Sequence, residues 1–174
     1  FIRALTLGDS LNLKERQTFT HMGMAAVFGA VDDLNMAATQ LEEAQSINDK
    51  FRNEHVLAMI LNRLGKVNVE RGNTEAAAEN FNMVLNYSEL IAPSQLAETL
   101  VNQAQLLNQL GQHEQALDKY KESLQLWRGI RNRKSEAETL GYIGELYRRM
   151  GNADREYANH MAALEIRQAL NDPE

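Results

Sequence analysis

Small and apolar side chains recur along this chain with a period of about forty residues. A row of small residues, with steps of 40, 39 and 40, consists of Ala25, Gly65, Ala104 and Gly144. A mostly large and apolar row consists of Phe1, Leu41, Phe81, Tyr120 and His160. A further row of mostly small residues consists of Ala4, Ala44, Val84, Ser123 and Ala163. Self-similarity at a fixed period of about 20 to 50 residues indicates a repeat architecture in which stacked units share a core.

Within each period the apolar spacing predicts two helices. Leu100, Ala104 and Leu107 share one face of a helix over residues 97–111. The run over 114–127 places its own apolar residues on one face as well. The chain is therefore predicted to be a series of helix pairs, each joined by a short turn.

That turn carries a residue that tolerates a left-handed backbone. The turn positions of the four units are Asp32, Gly72, Gly111 and Gly151. The small row has a different role, since two antiparallel helices approach closely only where side chains are small. We therefore expect Gly65 to face Ala77, and Ala104 to face Ala116. Phe81 or Tyr120 is then expected to fill the space between one pair and the next.

Two segments, LGKVNVERGNTEAAAENFNMVL (64–85) and AQLLNQLGQHEQALDKYKESL (104–124), resemble tetratricopeptide repeats. The family pattern is L-G-x-x-Y in the first helix and A-x-x-x-F in the second. Residues 143–166 match the first half of this pattern but depart from it at Glu156 and His160, which replace the expected Ala and aromatic residue. The first unit is the weakest match, because it lacks the Leu-Gly pair.

The period is longer than the 34 residues usual for the family. In this respect the chain resembles the long repeats of kinesin light chains, of GoLoco-type mitotic adaptors and of bacterial quorum-sensing regulators. It also resembles arrays fused to caspase-like CHAT proteases or to sensor kinases. The additional residues follow the second helix, within 48–57 and 128–137, and are expected to lengthen both helices by about a turn.

The resemblance implies an all-α fold, a right-handed superhelical solenoid of antiparallel helix pairs. We expect a single array over residues 1–174, with a partial repeat over 1–12. The full repeats are expected at approximately 13–51, 52–91, 92–131 and 132–174. Phe1 and Ala4 already match second-helix positions, and neither end carries the polar cap of a free solenoid terminus. We therefore expect the array to be a segment of a longer protein.

Composition excludes several classes of function. The net charge of −6 over 174 residues argues against a nucleic-acid groove. No apolar run reaches the roughly eighteen residues of a membrane span, so membrane insertion is not expected. The chain has no cysteine and therefore no disulfide or thiol chemistry. We expect a cytoplasmic location.

The sequence holds no recognisable catalytic or metal-binding pattern. Its four histidines occupy different positions in their units and include no i, i+4 pair; they are His21, His55, His113 and His160. No nucleophile elbow, phosphate loop or dinucleotide fingerprint occurs. We therefore expect no enzymatic activity, no metal and no cofactor.

In a superhelix of this family the first helix of every pair lines the concave side, so its inward residues are candidates for binding a partner. Predicted inward positions begin with Met22 and Ala26 in the first unit. The candidate binding residues are Asn62, Arg63, Lys66, Asn102, Gln105, Asn108, Glu145 and Arg148. Amide side chains both donate and accept hydrogen bonds, so they can pair with the backbone of an extended peptide. The alternative, that these polar side chains only solvate an exposed face, stays open.

Met22 and Ala26 do not match the clamp of Lys and Asn residues with which family members hold a chaperone's C-terminal carboxylate, so a chaperone co-factor role is disfavoured. Our first hypothesis is a protein-interaction module that binds a peptide or helix of a partner protein in its concave groove. The second is a regulatory or sensor segment of a larger signalling or protease protein. The third is structural self-association through the end repeats, using residues 1–7 and 161–166.

Overall fold

The computed structural model describes the backbone of residues 2–171 and the side chains of residues 12–170. Over that backbone the protein forms eight α-helices and no strand. They are α1 (Ile2–Ala30), α2 (Leu34–Asn48), α3 (Glu54–Glu70), α4 (Thr74–Leu85), α5 (Pro93–Gln109), α6 (His113–Gly129), α7 (Arg133–Arg149) and α8 (Ala153–Asn171). The predicted all-α fold of helix pairs is confirmed. The expectations for Phe1, Ala4, the side chains of 1–7 and the last residues lie outside the described part.

The chain divides into two compact units, an N-terminal unit, Phe1–Ile91, and a C-terminal unit, Ala92–Glu174. In the N-terminal unit each helix packs against the next along the chain, from α1 to α4. In the C-terminal unit the same holds from α5 to α8. The division falls at the boundary predicted between the second and third full repeats. A single array through the whole chain stays a prediction.

The turn inside each helix pair adopts the left-handed backbone that the sequence predicts. The φ values are 63° at Asp32, 78° at Gly72, 76° at Gly111 and 73° at Gly151. In each unit the residue after the turn position donates its N–H to a carbonyl five residues earlier, as Gln112 does to Leu107 at 2.9 Å. These are Schellman-type helix ends, which satisfy carbonyls that the helix leaves unpaired.

The turns between repeats also follow local rules. Asn53 and Asn132 cap α3 and α7, each accepting a hydrogen bond from the backbone N–H three residues on. Pro93 occupies the first position of α5, as predicted, where its missing N–H costs nothing. Only residues 130–132 separate α6 from α7, so the additional residues over 128–137 do lengthen the two helices.

At the start of the chain, α1 continues from Ile2 to Ala30 and so crosses the boundary between the predicted partial repeat, 1–12, and the first predicted full repeat. Asn12 is the equivalent, one period earlier, of Arg52, which has a φ of 53° in the turn between α2 and α3. Unlike the stretch around Arg52, the backbone around Asn12 remains helical.

Residues of the small row have little or no side chain, so a side chain of the second helix can pack directly against the first helix of the same pair. The closest neighbours of a Cβ built at Gly65 are ring atoms of Phe81, at 2.3 Å from Cε1. At Gly144 they are ring atoms of His160, at 2.8 Å from Cε1. Phe81 therefore packs within its own helix pair. Tyr120 fills the space between its pair and the next, as predicted, since it shares a core with Ala137 and Leu140 of α7. Ser123 adds a buried hydrogen bond of 2.8 Å from its Oγ to the Ala97 carbonyl.

Candidate partner-binding surface

The candidate residues of the N-terminal unit lie on α3, next to α1. Arg63 is exposed, and its Nη1 donates a hydrogen bond of 3.2 Å to the Met22 carbonyl of α1. Lys66, one turn later, is exposed to solvent. Met22 itself is almost completely buried in the core with Leu41 and Leu64. The expectation that Met22 faces a groove is therefore wrong, because α3 covers it.

Two predicted amides are not available to a ligand in this structure. Asn62 is 7% exposed and Asn102 is 6% exposed. Each already has an interaction partner within the protein. The first helix of each pair packs against its own second helix and against neighbouring helices. The strip of its residues that is exposed to solvent is therefore narrower than the sequence predicted. The residues of this strip that a partner can reach do not include these two amides.

In the C-terminal unit the exposed strip of α5 retains two of the predicted amides. Gln105 and Asn108 are partly exposed and lie three residues apart, on one side of the helix. The Oδ1 atom of Asn108 is shielded from solvent and accepts no hydrogen bond from the described residues.

The strip of α7 carries a charged cluster of Glu145, Arg148 and Arg149. Arg148 binds Glu145 through two hydrogen bonds, one of them 2.9 Å long from Nε to Oε2. The Nε of Arg149 lies 3.6 Å from Oε1 of the same carboxylate. The hydrogen bond from Arg148 lowers the pKa of Glu145 below its ordinary 4.5, with the charges of both arginines adding to the effect.

Two guanidinium groups share the Glu145 carboxylate, and the negative charge of Glu156 on α8 also acts on Arg148. The Arg148 side chain is 60% exposed. A guanidinium has five N–H donors, and Glu145 occupies only the Nε and Nη2 side of Arg148. The remaining edge can bind a carboxylate of a partner without breaking the ion pair.

An aromatic stack that the sequence did not predict adjoins this cluster. Tyr120 of α6 and Tyr142 of α7 have ring centroids 5.9 Å apart and planes inclined by 20°. Tyr120 is buried, and burial raises its pKa well above the ordinary 10.0. Tyr142 is partly exposed and lies three residues before Glu145 on α7. It provides an apolar edge beside the charges.

A cleft in the N-terminal unit was also not predicted. It has a volume of about 770 Å³ and lies where the turn between α2 and α3 meets α1. Its lining includes Phe51, Arg52, Glu15 and Leu90. Periodicity cannot reveal this cleft, because it depends on turn residues that lie outside the repeating rows.

Comparison with known proteins places the repeats in a family. Residues 95–173 match the family model of the tetratricopeptide repeat. This segment carries tetratricopeptide repeats. The matched segment contains α6, α7 and α8 and nearly all of α5. It therefore includes the amides of α5 and the charged cluster of α7.

Solved structures of related fold extend the likeness to nearly the whole chain. BtubC (BKLC) from P. vanneervenii superposes with a TM-score of 0.84 and 23% identity, covering 98% of this chain and 69% of that one. A putative kinesin light chain from Podosopora anserina, with nearly identical TPR-like repeats, gives 0.75 and 15%, covering 92% and 79%. MamA from Desulfovibrio magneticus RS-1 gives 0.67 and 13%, covering 89% and 78%. At these identities the likeness establishes the solenoid fold alone.

No curated protein sequence matches this chain. Among its described residues, no group of three or more His, Cys, Asp or Glu is placed to hold a metal ion. Nor does any helix within the described segments have the length and apolar character needed to cross a bilayer.

Proposed function

We propose that this chain is a protein-interaction module that binds an extended peptide along the exposed strips of α5 and α7. Gln105 and Asn108 of α5 are one 40-residue step before Glu145 and Arg148 of α7. Equivalent positions in successive repeats lie on equivalent sides of their helices. The two strips therefore present amides and charges at matching positions within one unit.

The observation that carries the proposal is the exposed Arg148 guanidinium, of which Glu145 uses only the Nε and Nη2 donors. The open guanidinium donors favour a carboxylate on the ligand. The amides of Gln105 and Asn108 suit the N–H and C=O groups of a peptide backbone, whatever its side chains. The proposed ligand is thus an extended peptide with an acidic residue positioned for Arg148.

The role as an interaction module fits the family, whose helix pairs form binding scaffolds and supply no catalytic machinery. Rigid helices keep the polar groups in place, so little conformational entropy is lost at the surface when a peptide binds. A partner protein, and not a small molecule, is the ligand that such an elongated polar strip fits.

A peptide-display selection on the immobilised 174-residue chain tests this proposal. The binding variant combines Gln105→Ala, Asn108→Ala and Arg148→Glu. A matched control combines Gln115→Ala, Gln125→Ala and Lys121→Glu, which are exposed positions of α6. Circular dichroism first establishes that both variants fold.

We expect the selection to enrich peptides with a shared acidic position. Their affinity should fall at least about tenfold in the binding variant and remain unchanged in the control. Peptides that bind the native chain and the binding variant equally would place the site elsewhere. The cleft beside Phe51 would then be the next surface to test.

A further inference from the structure

A second, smaller cleft of the N-terminal unit also lies at the turn between α2 and α3. It has a volume of about 320 Å³ and is formed by the end of α2, that turn, the start of α3 and the turn after α4. The turn cleft is defined by its lining residues Asn48, Asp49, Arg52, Glu54, Leu57 and Tyr87. All six lie inside the chain, so neither the first helix nor the last contributes to this lining.

The floor of the turn cleft holds a polar side chain that is almost completely buried. Asn48 lines the cleft although only 1% of its surface is exposed. Its backbone carbonyl accepts hydrogen bonds from the N–H groups of Phe51 and Arg52, at 3.0 and 2.7 Å. Its side-chain Oδ1 accepts none from the described residues. Because buried polar atoms are normally hydrogen-bonded, a ligand of this cleft is expected to present an N–H or O–H to that oxygen.

The charged residues that line the turn cleft are two carboxylates and one guanidinium. Asp49 and Glu54 are both exposed. The ion pairs of the described residues all lie on α6 and α7, so neither carboxylate is neutralised by one. Just outside this lining, Lys50 of the same turn adds a positive charge and Glu15 of the adjoining larger cleft adds a negative one. The sum is negative, which favours a cationic ligand.

The position of Asp49 points to the same kind of ligand. Asp49 is the C-cap of α2, and its N–H donates to the Gln45 carbonyl at 2.9 Å. The C-terminus of a helix carries a partial negative charge, and the last turn of α2 contains no basic residue. An acidic side chain is unfavourable there. A cation bound beside Asp49 would offset both negative charges.

The size and the apolar walls of the turn cleft suit one long side chain. Ligand pockets in proteins range from about 300 to 1,000 Å³, and this cleft is at the lower end. Leu57 and Tyr87 are partly exposed in its lining. An alkyl stem can pack on such residues while the charged group at its end remains among the acceptors.

We propose that the turn cleft binds a basic side chain of a partner protein, an arginine or a lysine. The cationic group donates to Oδ1 of Asn48 and pairs with Asp49 and Glu54. Its alkyl stem packs on Leu57 and Tyr87. This site goes beyond peptide binding along α5 and α7 and uses none of the residues proposed there, so either proposal can fail without the other.

NMR titration of the labelled 174-residue chain tests the proposal. The probe is Nα-acetyl-arginine methylamide, a blocked single residue, and the blocked glutamate is the charge control at the same ionic strength. The reporters are the side-chain NH₂ signal of Asn48 and the backbone N–H signals of residues 49–54. Spermidine, titrated separately, represents a free amine as the source of the same chemistry.

Two matched double variants separate a local site from general charge. Asp49→Asn with Glu54→Gln removes the carboxylates of the turn cleft. Glu42→Gln with Glu43→Gln removes two exposed carboxylates of α2 that line neither cleft. Circular dichroism verifies that both variants fold. We expect the blocked arginine to bind with a dissociation constant in the low millimolar range, at least about tenfold weaker in the first variant and unchanged in the second.

Two single variants test the sign of the ligand charge and the role of the floor. Arg52→Gly removes the guanidinium of the lining and suits the φ of 53° at that position, so it should fold well. A basic ligand should then bind about threefold more tightly, because a like charge has gone. Asn48→Leu replaces the buried amide with an apolar side chain of similar size. It should weaken binding of the blocked arginine.

Four outcomes would overturn the proposal. The first is the absence of reporter shifts up to about 50 mM blocked arginine. The second is an equal loss of affinity in the two double variants, which would indicate non-specific attraction. The third is binding of the blocked glutamate that Arg52→Gly abolishes, since the ligand would then be an anion. The fourth is binding of spermidine without binding of the blocked arginine, which would assign the cleft to a free amine.

Discussion

The imidazole ring of His160 lies directly over Gly144, so that a Cβ at Gly144 would come within 2.8 Å of ring atoms Cε1 and Nε2. The same relationship joins Phe81 to Gly65, where the distance to Cε1 is 2.3 Å. The two rings differ in freedom, because Phe81 is completely buried while His160 is exposed. Substitutions at the two glycines should therefore have unequal effects.

Gly65→Ala is expected to destabilise the protein by about 1–3 kcal/mol, because the buried Phe81 ring has no space into which to move. Gly144→Ala should cost less, since the exposed His160 ring can rotate away. Gly23→Ala serves as the control, because nothing lies within 4 Å of its Cβ position inside α1. It should stabilise by about 0.5–1 kcal/mol through helix propensity. Urea unfolding at low protein concentration measures the change in the free energy of unfolding for all three variants. Equal changes would contradict the packing of Phe81 on Gly65 and of His160 on Gly144.

Left-handed turn residues make a second prediction. Arg131 has a φ of 56° in the turn between α6 and α7, a conformation that costs a side chain about 1–2 kcal/mol. Arg131→Gly is expected to stabilise the protein by about 1 kcal/mol. Gly151→Ala, at a φ of 73°, should destabilise it by a similar amount. Changes of the same sign in thermal unfolding would count against the described turns.

The buried carboxylate of Glu136 makes a third prediction. Arg128 and Arg133 both bind it, at 2.8 and 2.6 Å, and both arginines are more than half exposed. Removing both arginines by alanine substitution strands a buried charge and is expected to cost about 3 kcal/mol or more. Glu136→Gln leaves only solvated arginines and should cost about 1 kcal/mol. The order of the two unfolding free energies is the test, and a reversed order would refute it.

The charged cluster of α7 makes a prediction about pH. Arg148 lowers the pKa of the Glu145 carboxyl, so any stability from this pair is present above 4.5 and is lost as pH falls through the lowered pKa. Carbon-detected NMR of the Glu145 carboxyl should give a midpoint below 4.5. Arg148→Ala should move that midpoint upward, while Arg167→Ala on α8 should not. An unchanged midpoint in Arg148→Ala would show that the pair does not form in solution.

Much of the fold could be predicted from the sequence, because equivalent positions in successive repeats share a residue type. These residue types indicate where a small side chain or a left-handed backbone is needed. Asp32 was correctly placed in a turn on this basis, although it is not a glycine. The burial of Asn62 and Asn102 could not be predicted in the same way. Spacing along a helix shows that they share a face, but not which neighbouring helix covers that face.

Other features of the structure depend on side-chain contacts that the repeat pattern of the sequence does not reveal. The Gly65 position required a small residue, but only the structure shows that Phe81 uses the space. The charges of Glu145 and Arg148 were both identified, yet their mutual hydrogen bonds depend on side-chain conformation. The helix α1 continues through Asn12, across the boundary predicted between the partial repeat and the first full repeat.

The central claim, peptide binding along α5 and α7, is tested most directly by NMR titration of the labelled chain with a selected acidic peptide. The side-chain NH₂ signals of Gln105 and Asn108 and the guanidinium Nε–H signal of Arg148 are the reporters. We predict that all three shift with one common dissociation constant, while the NH₂ signals of Gln115 and Gln125 stay in place. Saturable binding that leaves the three reporters unmoved would contradict the account.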